Sequence, residues 1–165
     1  MKAGKISYAG VGVAVGGVIG FLGVVVGWFK FSFPLEHGTA TVTLHGTADW
    51  TGTAAMIAAF GAFAFGGAYL LVADVKLKKL TSILMGASSA FLLMFSIYGY
   101  TRISDAVGVP ATQFTSGAGK GIVLSFVGGV IALVGSLLAS RESTESPEVQ
   151  AEAEAPPQPA GVVEA

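Results

Sequence analysis

The residues best suited to chemistry lie close together in the chain. Glu36, His37, His45 and Asp49 fall within LEHGTATVTLHGTADW, residues 35–50, which holds both histidines. Imidazole and carboxylate are suitable zinc ligands. The histidines are eight positions apart (45 − 37), with no HxH or HxxxH spacing. If a strand joins them, a rise of about 3.3 Å per residue separates them by about 26 Å. The expectation is therefore no metal site and no cofactor, with these four residues as the candidates should one exist. The phrase HGTA occurs at 37–40 and again at 45–48, and reads as turn chemistry used twice.

Other chemistry is thin. GAGKG at 117–121 resembles a fragment of a phosphate loop, but Lys120 is followed by Gly121 rather than Ser or Thr, and the full GxxxxGK[ST] is missing. The chain has no cysteine, which removes disulfides, thiolate metal sites and thiol nucleophiles. No serine has a histidine base nearby in sequence, and no paired carboxylates sit in an apolar setting. An enzyme is not expected. A formal net charge of −1 supplies no basic patch for nucleic acid.

These few polar residues are held between long apolar runs. Of the 165 residues, 53% are hydrophobic and 12% charged, against about 25% charged in ordinary soluble domains. A soluble chain this small could not bury that much apolar surface. Residues 8–29, 51–73, 80–100 and 121–139 carry no charge, and each can cross a hydrocarbon core of about 30 Å as a helix. The expected class is an all-α membrane protein: a four-transmembrane-helix bundle, residues 1–139, solvated by the lipid bilayer. The first run follows Lys2 and Lys5, but it is too long for a signal peptide and no small-x-small site follows, so it reads as an uncleaved anchor.

The connections differ in kind. The 74–79 loop, DVKLKK, is short enough to force spans two and three into an antiparallel neighbouring pair. The outer loops, 30–50 and 101–120, are longer. In the first, WFKFSFPL and TATVTLH alternate apolar and polar residues with β-branched and aromatic character, which is the strand signal. EHGT between them supplies a turn, with Gly38 free to take positive φ. A β-hairpin-like first outer loop is expected. Asp49 or Thr51 should cap span two, and Trp28 and Trp50 should mark the outer membrane interface. The second outer loop, with Arg102, Asp105 and Pro110, carries no such pattern; its Arg102 suggests an ion pair of small value.

Lys2, Lys5, Lys76, Lys78, Lys79 and Arg141 fall on one side of this topology, and Lys30, Arg102 and Lys120 on the other. The bias predicts a multi-pass protein of the cell membrane with cytoplasmic N- and C-termini. Residues 140–165 hold six glutamates, four prolines and no aromatic residue, a composition that predicts a disordered acidic tail.

Each span carries a face of small residues, the usual basis of close helix packing in lipid. In span one Gly12, Gly16, Gly20, Gly23 and Gly27 recur at three or four residues; in span four Gly121, Ser125, Gly128, Ala132, Gly135 and Ala139 do the same. Span three offers Ser82, Gly86, Ser89 and Ser96, and span two Ala55, Ala59, Ala62 and Gly66. A tight left-handed bundle is expected. Glycine on several sides of span one hints at a second chain. Four spans with a strand-patterned first loop resemble the general plan of claudin-type tetraspans, but the cysteines and the Trp-Gly-Leu-Trp loop of that family are missing, so no family is assigned.

No Asp, Glu, Lys, Arg or His lies inside a span, whereas ion-coupled transporters and proton relays need such groups. The expected role is a structural or accessory subunit of a membrane assembly, with a membrane-protein partner or self-association. The alternative is a transport protein or pore formed between chains, lined by Ser82, Ser89 and Ser96. Those hydroxyls can equally bond to their own helix.

Overall fold

A computed structural model describes residues 7–102 and 115–154, with side chains over 7–102 and 119–143. Among the described residues four helices are long and apolar enough to cross a membrane: α1 Tyr8–Val25, α2 Trp50–Leu71, α3 Val75–Thr101 and α4 from Lys120. By length and composition the chain fits a multi-pass membrane protein. The outside of the bundle agrees, since Ile57, Phe60, Val134 and Leu137 are all exposed.

Each helix packs on its two neighbours in the ring α1–α2–α3–α4, and α1 also closes against α4. The antiparallel pairing of α2 and α3 is as expected from their short link. Asp74 makes that link tight by accepting hydrogen bonds from the backbone N–H groups of Lys76 and Leu77 at 2.8 and 3.0 Å. The start of α1, the end of α2 and the start of α3 share one end of the bundle with the later turns of α4.

The other end carries a three-stranded antiparallel sheet, in the order β2-β1-β3, from β1 Phe29–Leu35, β2 Gly38–Leu44 and β3 Thr115–Ala118. Glu36 and His37 form the turn of the expected hairpin, since Leu35 pairs with Gly38, and Gly38 adopts φ +147°. The alternation has the expected effect. Phe29 and Phe31 are buried and Lys30 is exposed. They join a core cluster with Val24, Ala55, Leu92 and Ile122 of the helices.

Five features differ from expectation. Helix α3 starts at Val75 with Asp74 as its N-cap, so five of the six residues expected as the 74–79 loop are helical. Helix α1 stops at Val25, four residues early, because the chain must turn at Gly27 to enter the sheet. Trp28 is wholly buried rather than placed at a membrane interface; the indole fills the end of the bundle interior, where only glycine at Gly46 and Gly99 leaves room for it. The third strand had no expectation behind it. Finally, α4 runs on to Glu154, where a disordered tail was expected from residue 140. Glu142 and Ser143 are held by Ser7 and Tyr69, and the Glu and Ala residues that follow are good helix formers that can extend an existing helix. Residues 155–165 of that tail, Asp105 and Pro110 of the second outer loop, and Lys2 and Lys5 lie outside the described residues.

Candidate functional site

The polar residues of the segment between α1 and α2 act locally. His37 sits in the hairpin turn and His45 just past the far end of β2, both exposed. His45 Nδ1 lies 2.6 Å from the carbonyl oxygen of Val25, one of the last carbonyls of α1, which no helical N–H can reach. Asp49 is the N-cap of α2: its carboxylate accepts from the Thr51 backbone N–H at 3.4 Å and from the Thr51 hydroxyl. The four residues proposed as metal ligands are therefore dispersed, and no three His, Asp or Glu side chains gather to hold a metal among the described residues. Sequence reasoning missed the tie from His45 to Val25. Its signal was a lone imidazole placed where the chain returns to a helix C-terminus.

The helix seam is the most developed feature. Along the α1–α4 contact, a Cβ on Gly16 would lie 2.5 Å from the Ala132 nitrogen and 2.6 Å from the Gly128 oxygen. One on Gly128 would lie 2.6 Å from the Gly16 oxygen, and one on Gly135 2.9 Å from the Val13 nitrogen. A Cβ on Gly121 would run into the carbonyls of Val26 and Gly23. Backbone thus lies directly on backbone along the whole seam. Gly12 is the loosest member, with only the Gly135 Cα at 3.7 Å.

The other glycines of α1 turn elsewhere within the same chain. A Cβ on Gly17 would lie 2.5 Å from the Phe63 nitrogen of α2, and one on Gly20 would lie 2.6 Å from the Leu92 side chain of α3 across the bundle. Glycine on several sides of α1 therefore reflects three partners within one chain. It does not call for a second chain.

The buried serines are satisfied inside the bundle. Ser89 Oγ donates to the Met85 carbonyl and Ser96 Oγ to the Leu92 carbonyl, each at 2.8 Å, and Ser82 Oγ donates to the Lys79 carbonyl. The stripe that would line a pore spends its hydroxyls on its own helix. Ser125 differs, because it joins helices: its hydroxyl donates to the Gly20 carbonyl at 3.1 Å and accepts from the Trp28 indole N–H at 3.3 Å. At the opposite end Tyr69 donates to the Ala139 carbonyl at 3.1 Å, beside Ser143, and the ammonium of Lys78 lies 5.5 Å from its ring centre. Among the described residues no buried side-chain nitrogen or oxygen lacks a partner.

Two surface features complete the picture. Trp50 is exposed and packs edge-on against Phe95 with Tyr98 alongside, both ring centres 5.9 Å away, so this indole can serve at an interface as expected. An apolar groove of about 260 Å³ opens between α3 and α4, lined by Ser96, Ile97, Tyr100, Ile122, Val123 and Phe126. The arrangement offers packing surfaces and no converging reactive groups among the described residues. The chain matches no protein-family model and no curated protein.

Proposed function

We propose that this chain is a structural or accessory subunit of a membrane assembly, working by association with another membrane protein or with itself. The observation that carries the reading is the closure of the bundle. Helices meet backbone to backbone at Gly16, Gly17, Gly128 and Gly135, and the buried hydroxyls bond within the chain. Such an interior supports neither a proton relay nor a substrate chamber, because both need polar groups left facing an open path. The sheet is what the molecule presents outside its bundle.

Charge supports an orientation. Lys76, Lys78, Lys79 and Arg141 lie at the end opposite the sheet, which supports cytoplasmic termini and an external sheet in the cell membrane. The test is affinity purification of the tagged full chain from native membrane in mild detergent. A stoichiometric membrane partner or a self-assembly is the expected result. Recovery of monomer alone, at high yield, overturns the reading.

A further inference from the structure

We propose that β2 is a self-docking edge, through which two copies in one bilayer join their sheets about a two-fold axis at Thr41. The proposal deepens the assembly reading and rests on it. Its first support is the ladder. Hydrogen-bonded and open positions alternate along antiparallel strands. The Gly119 N–H donates to the Trp28 carbonyl at 2.7 Å, while the Trp28 N–H turns the other way, to the Leu44 carbonyl of β2 at 2.8 Å; the parity of that carbonyl puts the backbone groups of Lys30 and Ser32 toward β3. Phe29, Phe31, Phe33 and Leu35 then serve β2. Given the register, in which Ser32 pairs with Thr41, Thr39, Thr41 and Thr43 must aim their N–H and C=O groups away from the sheet. Pro34 agrees with this parity, since its missing N–H falls on the β3 side.

The second support is the lack of any guard. An open edge is a template for another strand, and chains block it with charge, proline or a bulge. On β2, GTATVTL has no charge and no proline, and its threonines are exposed.

The third support identifies the occupant. The threonines of the strand are placed symmetrically about Thr41. Antiparallel pairing with a second β2 sets Thr41 against Thr41 and Thr39 against Thr43, which closes every open backbone group of the three. Threonine pairs across strands are favourable, and no like charges meet. The HGTA phrases share the centre: His37 and His45 are four residues either side (41 − 37 and 45 − 41), so each His37 would face the other copy's His45. The face bearing Phe29 and Phe31 packs on the bundle. Pairing through the β2 edge leaves that contact intact in both copies.

The absence of cysteine makes the test clean. In an open hydrogen-bonded pair the Cα atoms are about 5.5 Å apart, inside the disulfide range of about 4.4–6.8 Å. Thr41→Cys in the full chain, reconstituted in phospholipid vesicles and mildly oxidised, should give dimer on the order of tenfold faster than Ser32→Cys, as paired thiols outpace colliding ones. A mixture of Thr39→Cys and Thr43→Cys chains with different tags should cross-link to each other in preference to themselves. Thr41→Pro, added to that mixture, should abolish the cross-link with the melting temperature unchanged, because this N–H serves no bond to β1. Equal rates for Thr41→Cys and Ser32→Cys overturn the proposal, as does cross-linking seen only between separately loaded vesicles. If a different partner co-purifies while these cross-links fail, the assembly reading stands and the β2 edge falls.

Discussion

At the scale of the residue, the contacts of single glycines decide whether a side chain is tolerated. Gly128 lies against the backbone of Gly16 and Gly20, whereas neighbouring Val127 is exposed on the outside of α4. Leucine at 128 must push two helices apart and gains nothing in return, since lipid accommodates leucine equally well. Overpacking of this kind costs about 1–3 kcal/mol or more. In one detergent, Gly128→Leu should melt well below the parent chain and Val127→Leu beside it. Equal melting would mean that this face does not carry the α1 contact. A second pair of neighbours sharpens the point. A Cβ at Gly66 would meet the Ala14 nitrogen at 2.7 Å, while Gly67 has no atom within 4 Å. Gly66→Ala should destabilise; Gly67→Ala should be neutral or stabilise by about 0.5–1 kcal/mol, because alanine loses less backbone freedom in a helix. Melting curves of these two variants check both claims.

At the scale of the element, what could be read in the chain followed the strength of its pattern. The charge-free runs gave four helices, and the alternation around Phe29–Phe33 and Thr39–Thr43 gave the hairpin. Strand β3 was hidden because TSGA at 115–118 has neither alternation nor bulk; its register depends on β1, not on its own side chains. Trp28 was misplaced because an indole beside a span serves equally as interface anchor or end plug. Only the three-dimensional neighbours Gly46, Gly99 and Ser125 distinguish the two. The extent of α4 was misjudged for a related reason. Composition marks residue 140 as the start of a tail, but Ser143 is buried against Tyr69, and Glu142 accepts from the Ser7 hydroxyl at 2.7 Å. A chain ended after Glu145 should therefore melt like the full chain. One ended after Ser140 should lose about 1–3 kcal/mol, the usual range for removing hydrogen-bond partners from buried or charged groups. Identical melting of both truncations would show that these end contacts contribute nothing. The cap of α2 is a further element-scale case. Asp49→Ala removes the acceptor for the Thr51 N–H and hydroxyl and should cost about 1 kcal/mol, read from the same transition.

At the scale of the whole molecule, the two ends of the bundle differ in the chemistry they offer to water. One end holds Lys76, Lys78 and Lys79 at the start of α3, with Tyr69 and Glu142 close by. The other holds a sheet whose outward face, Lys30, Ser32, Pro34 and the threonines of β2, carries a single charge. Cations near membrane helices are retained on the cytoplasmic side, so the proposed orientation leaves the sheet outside, where the β2 edges of two copies can meet. Cysteine scanning tests this directly, because the parent chain has no thiol of its own. Lys79→Cys and Ser32→Cys lie at opposite ends of the bundle, and neither position makes a contact across the glycine seam. A thiol reagent unable to cross membranes, applied to intact cells, should label Ser32→Cys and spare Lys79→Cys until the cells are opened. The reverse pattern would place the sheet inside and remove the external assembly surface. Labelling of both positions in intact cells would show that the four helices do not hold a single orientation across the bilayer.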